Sequence, residues 1–506
     1  MMQNELRYKE LTEKALVFFG DICKIPHGSG NCAGIGDYLM KFAGERRLNS
    51  TRDEMGNVFI SAPAIKKENI PENTVILQGH QDMVCVKEDS CNKDMKNDPL
   101  DIIIDNGIIS ARGTSLGADN GIGVAMTLAV LDDTDDPRPP IEAIFTVDEE
   151  TGMSGAAAFD KNNLKGNMFI NLDSEEEGVV TCACAGGERI DVKLGLSNSK
   201  YVFNDITKSE GADKVCRRTD LCKIGIHVSG LAGGHSGCDI NKGRLNALRV
   251  ITDILVKIKN IEFCLADYAG GNFDNVICSD AAAVILVERK NKERLFDQLN
   301  EIKNKLFIGY VNIEKSISVD LLTSDSLYDL KGYVLGVKQT KEFLSAMNRI
   351  PQGVTLMMKD RPDCVDTSMN LGVAKIEGKD LILTFSLRSG CDDRRRELEE
   401  KVTQILSQIP GCKWNIRNPY PAWTYAPSSR LRDIICETYK EMYGREMETA
   451  VTHGGLECGY FASGIKGCDL VSIGPNIDDI HSVNEKISID SLERTVKLLI
   501  GVLNKI

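Results

Sequence analysis

The chain has 506 residues, 42% of them hydrophobic, and its 74 acidic against 61 basic side chains give a net charge of −13. That length accommodates two or more domains. An acidic balance, with no cluster of Lys and Arg interleaved with aromatics, excludes a surface built to hold nucleic-acid phosphates.

The 17 cysteines are scattered and no Cys-x-x-Cys occurs, so thiolate zinc and dithiol redox motifs are absent. Free thiols in a reducing compartment are expected instead. The segment from Met1 to Glu10 is charged and lacks the apolar core and small-residue cleavage site of a leader. No apolar run reaches the ~18 residues of a membrane span. A cytoplasmic protein is predicted.

In chain order, the first 185 residues alternate strands and helices. The run Thr74–Gly79 predicts a strand that delivers His80 and Asp82 at its C-terminal end. Gly121 to Leu131 reads as a helix following Asp119-Asn120. Ala143–Val147 and Met168–Leu172 are short continuous apolar runs, the pattern of strands buried on both faces. The first runs into Asp148-Glu149-Glu150 and a Gly-rich turn, and the second into Asp173. Glu175, Glu176 and Glu177 beyond it are expected in solvent.

From 186 to 409 the texture changes to more Lys, Asn and Ser. Strands are expected over Ile224–Ser229 and Leu381–Leu387, and amphipathic helices over Asn246–Ile258 and Arg396–Ile409. The section from Ser197 to Cys222 is polar and reads as an insertion. The α/β texture returns near Leu431, with a strand over Asp469–Ile473. A last helix is expected to start at Asp490 with Glu493 completing a capping box, and Leu492, Val496, Leu499 and Leu503 mark its apolar face. The fold class is therefore α/β, a domain over 1–185 and 410–506 interrupted by an inserted α+β domain over 186–409.

Strand ends are where open α/β sheets bind ligands. His80, Asp119, Glu149, Glu150, Asp173 and His481 all stand where an apolar run meets a turn. Two histidines and several carboxylates so placed are what a pair of divalent metals needs. Adjacent carboxylates can divide labour, one binding metal and the other serving as general base. Among the six histidines, His227 reads as structural and His27 as a surface turn residue. His80, His235, His453 and His481 lie in Gly-, Ser- or acid-rich junctions free to face a cleft.

Two rival motifs are present. Gly28 to Ala33 matches a dinucleotide loop, but Pro26-His27 stands where its strand should run. Gly113-Thr-Ser115-Leu-Gly117 matches a nucleophile elbow, which would make a serine hydrolase using Ser115. The elbow requires a helix directly after the serine, whereas Asp119-Asn120 looks like the helix start. It also leaves His80, Glu149, Glu150 and Asp173 without a role.

Gly79-His-Gln-Asp, Ser115-Leu-Gly-Ala-Asp-Asn-Gly, Asp148-Glu-Glu-Thr-Gly-Met-Ser-Gly, Asn171-Leu-Asp, Gly233-Gly-His-Ser-Gly, His453-Gly-Gly-Leu-Glu-Cys-Gly and Ile480-His-Ser-Val-Asn-Glu together resemble the M20 di-zinc metallopeptidases. Within them the chain is most similar to the aminoacyl-histidine dipeptidases. The resemblance implies a catalytic domain with a mixed, mostly parallel sheet, and an inserted lid. It implies that His80, Asp119 and Asp173 hold one zinc, that Asp119, Glu150 and His481 hold a second, and that cobalt or manganese could substitute. Asp82 would orient His80, and Glu149 would be the general base. His235, Arg388 and His453 would meet the substrate, Arg388 by gripping its terminal carboxylate. The implied activity is hydrolysis of Xaa-His dipeptides, including β-alanyl-histidine, by a homodimer. A broad dipeptidase or tripeptidase and an N-acyl amino acid deacylase stay open.

Overall fold

Val75, Ile76 and Leu77 are all fully buried, and because successive strand residues point to opposite faces, their strand must be covered on both sides. Val75 and Leu77 join one core with the helices Met2–Ile22, Ala33–Glu45, Ala118–Asp132, Arg430–Tyr443 and Ile489–Leu503. Ile76 joins a second core with Ile144, Phe169, Leu470 and Phe461, beneath the helices Ser154–Ala158 and Cys458–Gly464. The result is a three-layer αβα arrangement. The computed structural model describes residues 2–65, 73–198, 220–324 and 333–506. Most of the polar section Ser197–Cys222 therefore lies outside the described residues.

The eight-stranded sheet of this unit is mixed, with a parallel centre. Ile141–Thr146, Val75–His80, Met168–Asn171 and Asp469–Ser472 run parallel in that order across the sheet. Antiparallel strands extend it outward, Val58–Ala62 and Asn49–Arg52 on one side and Val179–Cys184 on the other. The parallel strands bring their C-terminal ends to one edge. A small antiparallel sheet of Ile477–Asp478, Lys486–Ser488, Ile108–Ala111 and Ile102–Asp105 carries His481 in its first turn.

The chain separates into two compact units, one of Met1–Cys184, Trp423–Val451 and Leu456–Ile506, the other of Ala185–Ala422 with Thr452–Gly455. The second continues past residue 409 because Cys412–Tyr420 pairs antiparallel with Gly186–Gly195. Its large sheet is antiparallel throughout, in the order Ser318–Ser324, Leu221–Ser229, Ala281–Glu288, Phe263–Gly270, Val365–Glu377, Asp380–Ser389, Gly186–Gly195, Cys412–Tyr420. The helices Ala247–Leu255, Val337–Arg349 and Asp392–Leu406 share one core with it.

Three local expectations are corrected. The last helix is capped by Ser488, whose side chain accepts from the Ser491 amide, so no capping box forms between Asp490 and Glu493. His27 is 2% exposed rather than a surface residue, because its turn is folded under Met83 and Gly117. Glu177 is not solvated: Tyr439, Arg445 and Arg494 all bond its carboxylate.

Candidate metal centre

His80 ends its strand with the ring buried. Its Nδ1 lies 2.9 Å from the backbone carbonyl of Asp82 and 3.5 Å from the Asp82 carboxylate. With Nδ1–H donating to that carbonyl, Nε2 is the nitrogen left for a metal ion, and it faces two carboxylate oxygens. Asp119 Oδ1 stands at 3.1 Å and Asp173 Oδ1 at 3.3 Å. His481, on a left-handed backbone (φ 56°), repeats the pattern. Its Nε2 is 3.1 Å from Asp119 Oδ2 and 3.0 Å from Glu150 Oε1.

Asp119 therefore belongs to two sets, giving one oxygen to each. His80, Asp119 and Asp173 form one trio and Asp119, Glu150 and His481 the other, each with ligand atoms within 4.8 Å of one another. His80, Glu149 and Glu150 form a third such group. Imidazole nitrogen and carboxylate oxygen, with an oxygen of Asp173 buried and lacking a hydrogen-bond partner, are the donor set of a divalent cation such as zinc. The residues present fit two.

The electrostatics carry the same message. Burial pushes Asp173 up to about 7, with Asp119 and Glu150 adding to the rise and His80 opposing it. Burial lifts Glu149 well above the ordinary carboxyl range against the pull of His80, and Asp173, Glu457 and Glu150 lift it further. Hydrogen bonds to Asp119 and Glu150 raise His481 to about 10. Burial alone would lower His80, but Asp173 and Asp119 hold it well above its usual value. Without a cation, this cluster retains protons to balance its carboxylates.

The surrounding residues fix the ligands from behind. The Asp82 carboxylate accepts from the Glu149 amide at 3.0 Å, the Glu150 amide at 3.4 Å and Ser29 Oγ at 2.8 Å. It thus anchors the turn carrying Glu149 and Glu150, while its own carbonyl orients His80. Gly30 N donates to Asp148 Oδ1 at 2.7 Å, so the Gly28–Asn31 loop buttresses this turn; it joins the helix Met2–Ile22 to the helix Ala33–Glu45 without the preceding strand of a dinucleotide loop. Glu485 accepts from the amides of Leu116, Gly117, Ala118 and Asp119 at 2.8–3.2 Å. Gly79 leaves room for Asn120, whose Oδ1 a Cβ there would strike. An open cavity of about 870 Å³ adjoins Glu150, lined among others by Ser29, Met83, Cys85 and Met95.

Ser115 is fully buried, and its hydroxyl donates to the Val84 carbonyl at 2.7 Å and accepts from the Val86 amide at 3.2 Å. A side chain held that way is no exposed nucleophile. Sequence reasoning gave no role to Glu485, Glu457 or Gln78. The first two are acids inside motifs already noted, His481-Ser-Val-Asn-Glu and His453-Gly-Gly-Leu-Glu, and that was the available signal.

The second unit gathers His235, Arg388 and His453. His235 Nδ1 accepts from the amides of Gly237 and Cys238 at 3.3 and 3.2 Å, which places its proton on Nε2. Burial and Arg388 lower its pKa, keeping the ring neutral. Arg388 is 5% exposed. One of its terminal nitrogens donates to the Tyr420 hydroxyl at 3.1 Å and the His453 carbonyl at 3.4 Å, while its Nε has no hydrogen-bond partner. His453 Nε2 meets Ser368 Oγ at 2.8 Å, and burial with Arg388 beside it brings the ring down to about 3.

A parallel-centred sheet with two histidine–carboxylate trios at its strand ends defines a metal-dependent hydrolase class. Residues 76–505 match the model of peptidase family M20/M25/M40, and the chain belongs to that family. It is 32% identical over 490 residues, 96% of each chain, to the cytosol non-specific dipeptidase of Escherichia coli (strain K12). It superposes with a TM-score of 0.85 and 31% identity on the aminoacylhistidine dipeptidase of Vibrio alginolyticus, covering 97% of this chain and 96% of that one. A succinyl-diaminopimelate desuccinylase of Pseudoalteromonas atlantica (strain T6c / ATCC BAA-1087) is 28% identical over 138 residues, 27% of this chain and 35% of its own. Among the described residues no helix is long and apolar enough to cross a membrane.

Proposed function

We propose that the chain is a cytoplasmic di-zinc dipeptidase that hydrolyses small unblocked dipeptides, Xaa-His among them. The observation that carries the reading is Asp119, whose two oxygens each face a separate histidine–carboxylate pair. The names of the two full-length relatives supply the substrate class. The match to a desuccinylase is confined to about a quarter of the chain and gives a deacylase little support.

His80, Asp119 and Asp173 would hold one ion and Asp119, Glu150 and His481 the other. Such ions lower the pKa of water toward ~7 and polarise a carbonyl. Glu149 has no place in either trio that shares Asp119, and its surroundings raise its proton affinity. It is suited to take a proton from the attacking water and pass it to the leaving amine. Asp82 sets Glu149 in place through the backbone amide.

The second unit acts as a lid. His235, neutral with its proton on Nε2, donates to the developing oxyanion, a contribution of about 3–4 kcal/mol where such donors have been removed. Arg388 binds the terminal carboxylate of the substrate in a bidentate manner that Lys cannot copy, and His453 lines the same region. A homodimer is part of the reading, since His235 reaches its substrate by closure or from a second copy.

A chelator should abolish hydrolysis, and zinc, cobalt or manganese should restore it. The decisive panel sets metal-loaded protein against Xaa-His, Xaa-Leu, C-amidated, N-acylated and tripeptide substrates. Undiminished hydrolysis of amidated dipeptides would remove the clamp role of Arg388, and faster cleavage of N-acyl substrates would make the protein a deacylase. Broad specificity is the second reading, favoured by the name of the Escherichia coli relative. Equal rates on Xaa-Leu and Xaa-His would select it.

A further inference from the structure

Just behind the strand ends, the parallel sheet carries polar side chains where such sheets ordinarily carry aliphatic ones. Gln78 lies two residues before His80 and Asn171 two before Asp173. Thr146 ends the strand leading to Glu149 and Glu150, and Ser472 ends the strand leading toward His481. All four are 0% exposed.

They are bonded in series. Ser472 Oγ donates to Asn171 Oδ1 at 2.5 Å, Asn171 Nδ2 to Gln78 Oε1 at 2.6 Å, and Gln78 Nε2 to Glu457 Oε2 at 2.6 Å. Thr146 Oγ1 donates to the same carboxylate oxygen at 2.6 Å. Each amide accepts on one side and donates on the other, so the chain has one direction and ends on a carboxylate. Glu457 enters from the start of the helix Cys458–Gly464 and is itself 0% exposed. Its other oxygen has no hydrogen-bond partner. Aliphatic side chains could fill this space without the cost of burying polar atoms.

We propose that Glu457 is a positioning residue that, through the Gln78–Asn171–Ser472 chain and Thr146, ties the four parallel strands together one layer beneath the metal centre. Backbone ladders fix strand register, but His80, Glu150 and Asp173 come from three strands and must place their ligand atoms within ångströms of one another. A hydrogen-bonded seam with fixed lengths and one direction holds that spacing, as supporting bonds around metal ligands do. The inference rests on the metal-centre reading above.

Zinc affinity by competition with a chromophoric chelator, the cobalt(II) absorption spectrum, the metal-free Tm, and kcat and KM on a dipeptide test it. Glu457→Leu should weaken zinc at one or both sites by ~10–100-fold, alter the cobalt bands and lower kcat more than it changes KM. Glu457→Gln keeps a carbonyl able to accept both bonds and should stay within ~3-fold of wild type. The double variant Gln78→Leu/Glu457→Leu strands Asn171 Nδ2 and still leaves Thr146 Oγ1 without its carboxylate partner, so it should recover neither the metal-free Tm, nor zinc affinity, nor the cobalt spectrum.

Unchanged zinc affinity and cobalt bands in Glu457→Leu would make the seam mere packing and overturn the proposal. A Gln variant as impaired as the Leu variant would overturn it too, by assigning the effect to charge. If Glu457→Leu does not fold, Ser472→Ala breaks the far link at little structural cost: weaker zinc supports the proposal, and wild-type zinc binding overturns it. Wild-type protein that binds neither zinc nor cobalt would instead refute the metal centre itself.

Discussion

Glu149 and Glu150 share Asp82 through their backbone amides, but their carboxylates differ in surroundings. Glu150 faces His481 across 3.0 Å, whereas Glu149 sits among acids that raise its proton affinity. Glu149→Gln should therefore retain both metals, measured by atomic absorption after dialysis, while kcat falls by at least ~10²-fold, the range for a lost general base. Metal loss in parallel with activity would make Glu149 a ligand. His481 and Asp173 make a second prediction, about pH. Both pKa values are raised in the folded metal-free chain, to about 10 and about 7. A raised value stabilises the fold fully below the unfolded pKa and is lost as pH climbs through the folded one. Metal-free protein should thus lose stability as pH rises through about 7 and again toward about 10. Metal must displace those protons, so the Tm gain on adding zinc should grow with pH. Calorimetry in buffers of differing ionisation enthalpy should register proton release near neutrality, and its absence would contradict the assignment.

At the scale of elements, the helix Ala118–Asp132 owes its start to Glu485, not to a side-chain cap of its own. Gly117 stands at its N-cap with φ 69° and no side-chain bond, and four successive amides converge on Glu485. Glu485→Ala would strand those buried donors, at about 1–3 kcal/mol for each left unsatisfied. Urea unfolding of the metal-free variant should report a loss of at least ~3 kcal/mol, with weakened metal binding because Asp119 rides on this turn. A loss below ~1 kcal/mol would show that water replaces the carboxylate. Apolar runs made the strands of this region readable, as in Val75–Leu77 and Met168–Ile170. The cradle was not readable, because Glu485 is 366 residues from the Asp119 amide it binds and nothing in either local pattern couples them.

For the whole molecule, the metal trios belong to one of the two compact units and His235 and Arg388 to the other. His235→Ala should lower kcat with both metals retained. Mixing that variant with Glu149→Gln under conditions of subunit exchange should regenerate activity if a second copy supplies His235. No recovery despite demonstrated exchange would point to closure within one chain. The sequence by itself determined the α/β grammar, the inserted α+β texture and the identity of the residues that meet at the centre. Each of these is written in local runs: apolar strands, Gly-rich turns, and a histidine or acid at the boundary. Only the tertiary structure decided how those residues share their work. It gave each oxygen of Asp119 to a different histidine, turned the Asp82 carboxylate onto the backbone of Glu149 and Glu150, buried His27 and Ser115, and ran a polar seam from Ser472 to Glu457. These outcomes depend on side-chain direction and on contacts across hundreds of residues, and neither periodicity nor spacing encodes those.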